Sequence, residues 1–227
     1  MTKMVDRIAE LIHATSSSLP DDAEQALRKA LRREAKGSSA RLVLETILKN
    51  VALARAAGKS LATLRKLLGP GVRLVRVMPN LALRAREGMC AICPAKNATP
   101  ADVKRVAKIL NGAGRTVVLP EKCFDAVTAL SGSGPAFFAF MEQAMAAGGA
   151  KLGLPKDAAR LLAEQTMLGT AAYLRQSGAD LETFISGVAT PGGTTAAGMD
   201  VLRASDFASV VAATLKAASD RSAELGK

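Results

Sequence analysis

V-R-L-V-R-V-M-P-N, Val72 to Asn80, sets arginines among apolar residues in the alternating manner of a half-buried strand, and Pro79-Asn80 ends it. Working outward, Met89 to Cys93 is a second short apolar strand. Thr99-Pro100 is a helix start, the helix runs to about Asn111, and Gly112-Ala113-Gly114 stops it ahead of a third strand, Thr116 to Leu119. Upstream, Ser60 to Leu68 has helical spacing and Gly69-Pro70-Gly71 turns the chain into Val72. The order helix, strand, strand, helix, strand is part of an open α/β layer, with about half the strands of a full doubly wound domain.

The pattern changes on both sides of this segment. After Pro120 helices are expected at about 121–129, 134–152, 156–177, 180–187, 194–203 and 205–225, separated by short Gly or Pro turns. Ala-Met-Ala-Ala-Gly-Gly-Ala at 144–150 lets helices approach closely, and the apolar character all round predicts helices buried in an intertwined dimer. Residues 1–58 have the spacing of three helices, about Met4 to His13, Pro20 to Lys36 and Leu42 to Gly58. The expected class is α/β plus all-α, divided at 1–58, 59–120 and 121–227.

Composition narrows the function classes. The 227 residues are 49% hydrophobic, enough to bury one sizeable core or two smaller ones. No apolar run approaches the roughly 20 residues that span a bilayer, and Lys3, Asp6, Arg7 and Glu10 stand where a signal peptide would be apolar, so the expected setting is the cytoplasm, away from membranes. Residues 59–120 carry 12 basic and 2 acidic groups, which is nearly all of the net charge of +11. Such a surface fits an anionic cofactor or stands solvated. Aromatics are 3% of the chain, with no Trp, which argues against a nucleic-acid stacking platform. Cys90-x-x-Cys93 lies on an expected strand, where residues three apart point to opposite faces, so a structural role is expected and no metal site is assigned. His13 has no Cys or second His nearby and is read as a helix-end or surface side chain.

The strongest local signal for chemistry is V-A-T-P-G-G-T-T, Val188 to Thr195, a turn that opens a helix. Gly192 and Gly193 permit close backbone approach, a helix N-terminus adds partial positive charge, and Thr190, Thr194 and Thr195 bring hydroxyls. Two readings of the turn stay open: a nest for a carboxylate or phosphate, and an ordinary helix cap shaped by Pro and Gly. Ser131-Gly132-Ser133-Gly134-Pro135-Ala136 is a second glycine-rich turn. It imitates a dinucleotide fingerprint but fails, because Phe137 stands at the third glycine position and Pro135 starts a long helix.

V-R-V-M-P-N at 75–80, D-A-V-T-A-L-S-G-S-G-P-A at 125–136, K-L-G-L-P at 151–155, T-P-G-G-T-T at 190–195 and R-S-A-E-L-G-K at 221–227 resemble the pyrroline-5-carboxylate reductases, over about residues 59–227. The resemblance implies a partial Rossmann-like segment followed by a helical dimerisation domain, and reduction of 1-pyrroline-5-carboxylate to proline by hydride from NADPH or NADH. It implies that Val188, Thr190, Gly192, Gly193, Thr194 and Thr195 surround a small carboxylate substrate, and that Met78, Pro79, Asn80, Ser131, Gly132 and Ser133 lie on the cofactor side. It also implies a homodimer through 121–227, with assembly beyond the dimer. No side chain is assigned as acid or base, since a protonated imine needs alignment more than proton transfer. The chain departs from the family in lacking a strand followed by a Gly-rich phosphate cradle, and in following Met78-Pro79-Asn80 with Leu81-Ala82, Arg84 and Arg86 where Thr-Pro is usual. Residues 5–55 resemble, less specifically, the helical start of class I fumarase and tartrate dehydratase, whose cluster cysteines fall outside the matched part. Two further readings are therefore carried: a non-catalytic dimerisation and carboxylate-binding module, and a dehydratase-related subunit.

Overall fold

Strand β1 (Val75–Met78) pairs antiparallel with β2 (Gly88–Pro94), Val75 facing Pro94 and Met78 facing Ala91. β2 in turn pairs parallel with β3 (Gly114–Val118), Gly88 facing Gly114 and Ile92 facing Val118. In the computed structural model, which describes residues 60–68 and 73–226, these three strands form a sheet of order β1-β2-β3. The helices and His13 expected in 1–58, and the turn at 69–71, lie outside the described residues. Helix α1 spans Leu61–Leu68 and α2 spans Pro100–Leu110. α2 makes the crossover that a parallel pair requires.

The sequence explains both the crossover and the burial of β2. Thr99 caps α2 as expected: its hydroxyl accepts from the Asp102 amide at 3.2 Å, while the Asp102 carboxylate accepts from the Thr99 amide at 2.9 Å, a reciprocal capping box. Val103, Val106, Ala107 and Leu110 then lie on one stripe over Cys90, Ile92 and Leu83. The opposite sheet face packs Ala91 and Cys93 against Phe124. Covered on both sides, β2 is nearly continuous in apolar residues, as a central strand should be. Cys90 and Cys93 do point to opposite faces, and no group of ligating side chains suited to a metal occurs among the described residues.

Beyond β3, a short 3-10 turn (Glu121–Cys123) leads to α3 (Phe124–Val127), a π-helical turn (Thr128–Gly132) and α4 (Gly134–Lys151). A glycine-rich turn was expected at 131–136; the chain instead widens into the π-helical turn before α4. Pro135 has no N–H for the Ser131 carbonyl, and its ring would collide with that carbonyl in an unbroken α-helix, so a wider turn forms ahead of it. The Ser133 amide donates to the Thr128 carbonyl at 2.8 Å, the i to i+5 bond of that turn.

α5 (Lys156–Ser177), α6 (Leu181–Val188), α7 (Thr194–Ala204) and α8 (Phe207–Leu225) complete the chain, close to the expected boundaries. The chain divides into two compact units. One holds the described residues up to Ser133 together with those from Lys216 on, and the other is Gly134–Leu215. In the first unit Ser222, a buried serine of α8, donates to the Asp125 carboxylate at 2.7 Å. In the second, α4 packs on α5, and a Cβ at Gly149 would stand 3.4 Å from that of buried Ala159. No helix among the described residues is long and apolar enough to cross a membrane.

Candidate functional site

The turn at 188–195 joins α6 to α7 within the helical unit. Asp180 caps α6, accepting from the amides of Glu182 and Thr183 at 3.1 Å each. Arg203, in the last turn of α7, bonds Glu182 in the first turn of α6 at 2.9 Å, so the two helices double back on each other with the glycine turn at the other end. Within the turn the Gly193 amide donates to the Thr190 carbonyl at 2.9 Å, and Gly192 has φ +72°. Pro followed by a positive-φ glycine inside a four-residue turn is the signature of a type II turn. The two glycines answer different demands. Gly192 supplies a left-handed φ, whereas a Cβ on Gly193 would stand 2.8 Å from the Thr190 hydroxyl and 3.0 Å from its carbonyl oxygen.

Gly193 is also the N-cap of α7 and offers no side-chain oxygen. The first amides of α7, at Thr194, Thr195 and Ala196, therefore open the helix uncapped, with the hydroxyls of Thr194 and Thr195 beside them. Val188, at the end of α6, is exposed, as are Thr190, Thr194 and Thr195. Such an arrangement of amides suits a carboxylate.

The second set of residues lies in the sheet-bearing unit. Met78 ends β1, Pro79 follows, and Asn80 takes an extended conformation before a 3-10 turn (Leu81–Ala85). The Asn80 side-chain oxygen accepts from the Met89 amide at 3.0 Å, and its side-chain nitrogen lies 3.5 Å from the Ser131 hydroxyl. A Cβ on Gly132 would stand 2.7 Å from the Met78 methyl group, so this glycine lets the π-helical turn lie against the end of β1. Thus Asn80 meets Ser131 and Met78 meets Gly132, while Ser133 acts through its amide to Thr128. The set at 188–195 belongs to the other compact unit.

Sequence reasoning missed Met89 and Thr128. The first contributes only a backbone amide, which no motif announces. Thr128 closes the π-helical turn through its carbonyl and donates its hydroxyl to the Phe124 carbonyl at 2.8 Å. The spacing of Pro135 after a helical run is the signal that could have found it. Arg76, to which no role was assigned, pairs with Glu121 at 3.1 Å and lies 4.5 Å from the Phe124 ring centre. The Glu121 carboxylate additionally accepts from the Leu61 amide, tying α1 to the sheet. Burial pushes the Cys90 thiol up to about 12, and burial followed by the Glu121 charge raises that of Cys93. Neither is poised as a nucleophile.

These features define the chain as an α/β protein with a helical second unit. Residues 121–225 match the family described as pyrroline-5-carboxylate reductase dimerisation. The pyrroline-5-carboxylate reductase of Schizosaccharomyces pombe is 42% identical over 171 residues, 75% of this chain and 60% of that protein. The protein of the same name from Synechocystis is 37% identical over 203 residues, 89% of this chain and 72% of its own. The crystal structure of Plasmodium falciparum pyrroline carboxylate reductase with NADP bound superposes with a TM-score of 0.69 at 27% identity, covering 82% of this chain and 72% of that one. The chain belongs to the pyrroline-5-carboxylate reductase family, and spans 60% of the length of the first of these relatives.

Proposed function

We propose that the protein reduces 1-pyrroline-5-carboxylate to L-proline with NADPH or NADH, in the cytoplasm, as a homodimer formed through the helices of 121–227. Family membership supports the reaction, and one observation carries the location of the substrate. The type II turn at Thr190–Gly193 delivers uncapped helix amides flanked by two threonine hydroxyls, and these suit the carboxylate of a five-membered imine. Val188 supplies an apolar wall for the ring, and Thr190, Gly192 and Gly193 shape the turn.

The residues at the end of β1 fit the nicotinamide end of the cofactor. Asn80 and Ser131 bring polar side chains to a strand terminus, and Gly132 lets the π-helical turn that carries Ser131 lie against Met78 at that terminus. When bound, the cofactor supplies the hydride. The chain's own part is to hold the carboxylate, fix the ring and exclude water, so that alignment supplies most of the rate enhancement. No acid or base needs to be assigned, in keeping with the absence from both sets of any Asp, Glu, His, Lys or Cys. The exposed Phe138, Phe140, Leu161 and Leu168 of α4 and α5 support the dimer, as does the match to the dimerisation family.

The test is oxidation of NADPH by the purified full-length protein on addition of pyrroline-5-carboxylate, with oligomer size measured alongside. Turnover supports the proposal. Proline binding without NADPH binding or turnover would assign the chain instead as a carboxylate-binding module.

A further inference from the structure

We propose that Asn80 is a positioning residue that holds the Ser131 hydroxyl as a hydrogen-bond donor to the carboxamide oxygen of the nicotinamide ring. The inference rests on the cofactor placement proposed above and adds to it a direction and a polarity. The Met89 amide donates to the Asn80 side-chain oxygen at 3.0 Å, which fixes which end of that amide group is oxygen. Its nitrogen therefore faces Ser131, at 3.5 Å. An amide nitrogen is only a donor, so Ser131 receives from Asn80 and its own single proton is directed elsewhere.

The three groups form a one-way chain: backbone N–H to Asn80 oxygen, Asn80 nitrogen to Ser131 oxygen, Ser131 proton outward. Its terminus is a donor, and its natural guest is an acceptor. Nicotinamide carries a carbonyl oxygen on its ring, whereas the substrate's carboxylate already has the helix amides of α7 in the proposed function. Two features keep Ser131 in place. The π-helical turn advances it out of α-helical register, and Gly132 packs against the Met78 methyl group at the end of the strand from which Asn80 follows. The Asn80 to Ser131 separation is at the long limit for a hydrogen bond, so a bound acceptor that polarises the hydroxyl has room to shorten it.

Asn80→Asp isolates this role, because it keeps an oxygen for the Met89 amide and replaces the donor toward Ser131 by an anionic acceptor that captures the Ser131 proton. Amide hydrogen exchange, NADPH titration by fluorescence, and KM and kcat would be measured on the full-length protein, on Asn80→Asp, Asn80→Ala and Ser131→Ala, and on the Asn80→Asp/Ser131→Ala double variant. Met89 exchange should stay slow in Asn80→Asp and Ser131→Ala and quicken at least about tenfold in Asn80→Ala. NADPH should bind about tenfold more weakly to both Asn80→Asp and Ser131→Ala, with the double variant no weaker than the worse single one. The KM for pyrroline-5-carboxylate should hold within about twofold, as a misplaced ring acts on cofactor affinity and kcat. NADPH binding by Asn80→Asp at the level of the unaltered protein, multiplying losses in the double variant, or unchanged Met89 exchange in Asn80→Ala would each overturn the inference while leaving the proposed function intact. Failure of the unaltered protein to bind NADPH would overturn both.

Discussion

Replacing Gly192 by alanine tests the proposed substrate turn by changing its backbone preference alone. At φ +72° a residue with a Cβ is strained by about 1–2 kcal/mol. No steric term is added, because a Cβ there would meet nothing within 4 Å. The unfolded chain loses some freedom with the substitution, which destabilises it in turn and returns about 0.4–1 kcal/mol, so the net loss is near 1 kcal/mol. For a chain of this size that is a fall in melting temperature of about 2–4 °C. The functional loss should be larger. If the turn relaxes to a negative φ, the Gly193 amide leaves the Thr190 carbonyl and the first amides of α7 change direction, so proline affinity should drop about tenfold, the worth of one well-placed charge-assisted hydrogen bond. Thermal unfolding by circular dichroism and proline titration calorimetry read the two effects. Gly192→Asn should recover part of both, since Asn tolerates the left-handed region. Equal losses in the Ala and Asn variants, or an Ala variant that melts and binds like the unaltered protein, would refute the reasoning.

Other substitutions probe the sheet-bearing unit. Gly114→Ala should be the most damaging substitution among the described glycines, because its Cβ would fall 2.0 Å from the Gly88 carbonyl oxygen; poor soluble yield or a drop in melting temperature beyond 8 °C is expected. Glu121→Gln leaves the largely buried Arg76 guanidinium without its carboxylate and should cost about 1–3 kcal/mol in denaturant unfolding, with no stability change counting against the pair. Thiol labelling at pH 8 should modify Cys123 first, with Cys90, whose thiolate fraction is about 1 in 10,000 at a pKa of about 12, reacting only on unfolding. The Asp102 carboxyl is held below its usual value by bonds from the Thr99 backbone and hydroxyl, with Arg73 a smaller influence. Its stabilisation is therefore present above the unfolded-state value near 3.8 and is lost as pH falls through the lower folded value, and Thr99→Ala should remove about 1 kcal/mol at neutral pH and flatten that acid dependence.

Much of the secondary structure was legible because its boundaries are chemical. Thr99-Pro100 opens α2, Gly178 with φ +63° ends α5, and Asp180 opens α6, each by a mechanism local to a few residues. Sheet order was not legible. Whether β2 runs with or against β1 depends on partners some 15 residues apart, and the apolar run Met89–Cys93 is compatible with either. The π-helical turn escaped for a different reason: its residues are ordinary helix and turn formers, and only the demand of Pro135 on the carbonyl four residues earlier distinguishes it. At the candidate sites, the type II geometry of Pro191-Gly192 could be anticipated from adjacent residues. The meeting of Asn80 with Ser131 spans 51 positions and could not.

The helical unit carries one further physical consequence. Among the described side chains of Gly134–Leu215 the buried apolar ones are Ala159 and Ala163, while Phe140 is 72% exposed, Leu161 65% and Leu152 89%. Two alanines bury far too little apolar surface to offset the chain entropy of the helices they hold. A unit of this composition calls for another apolar surface to cover it, and in the proposed homodimer a second copy presents the same helices. On that reasoning the small residues of 144–150 serve two ends. Gly149 lets α5 approach α4, whereas Gly148 has nothing within 4 Å of its Cβ position, leaving a shallow place on the helix surface for an incoming side chain. The turn between α6 and α7 is held by elements of this unit, so the proposed carboxylate site and the proposed association of two chains draw on the same helices.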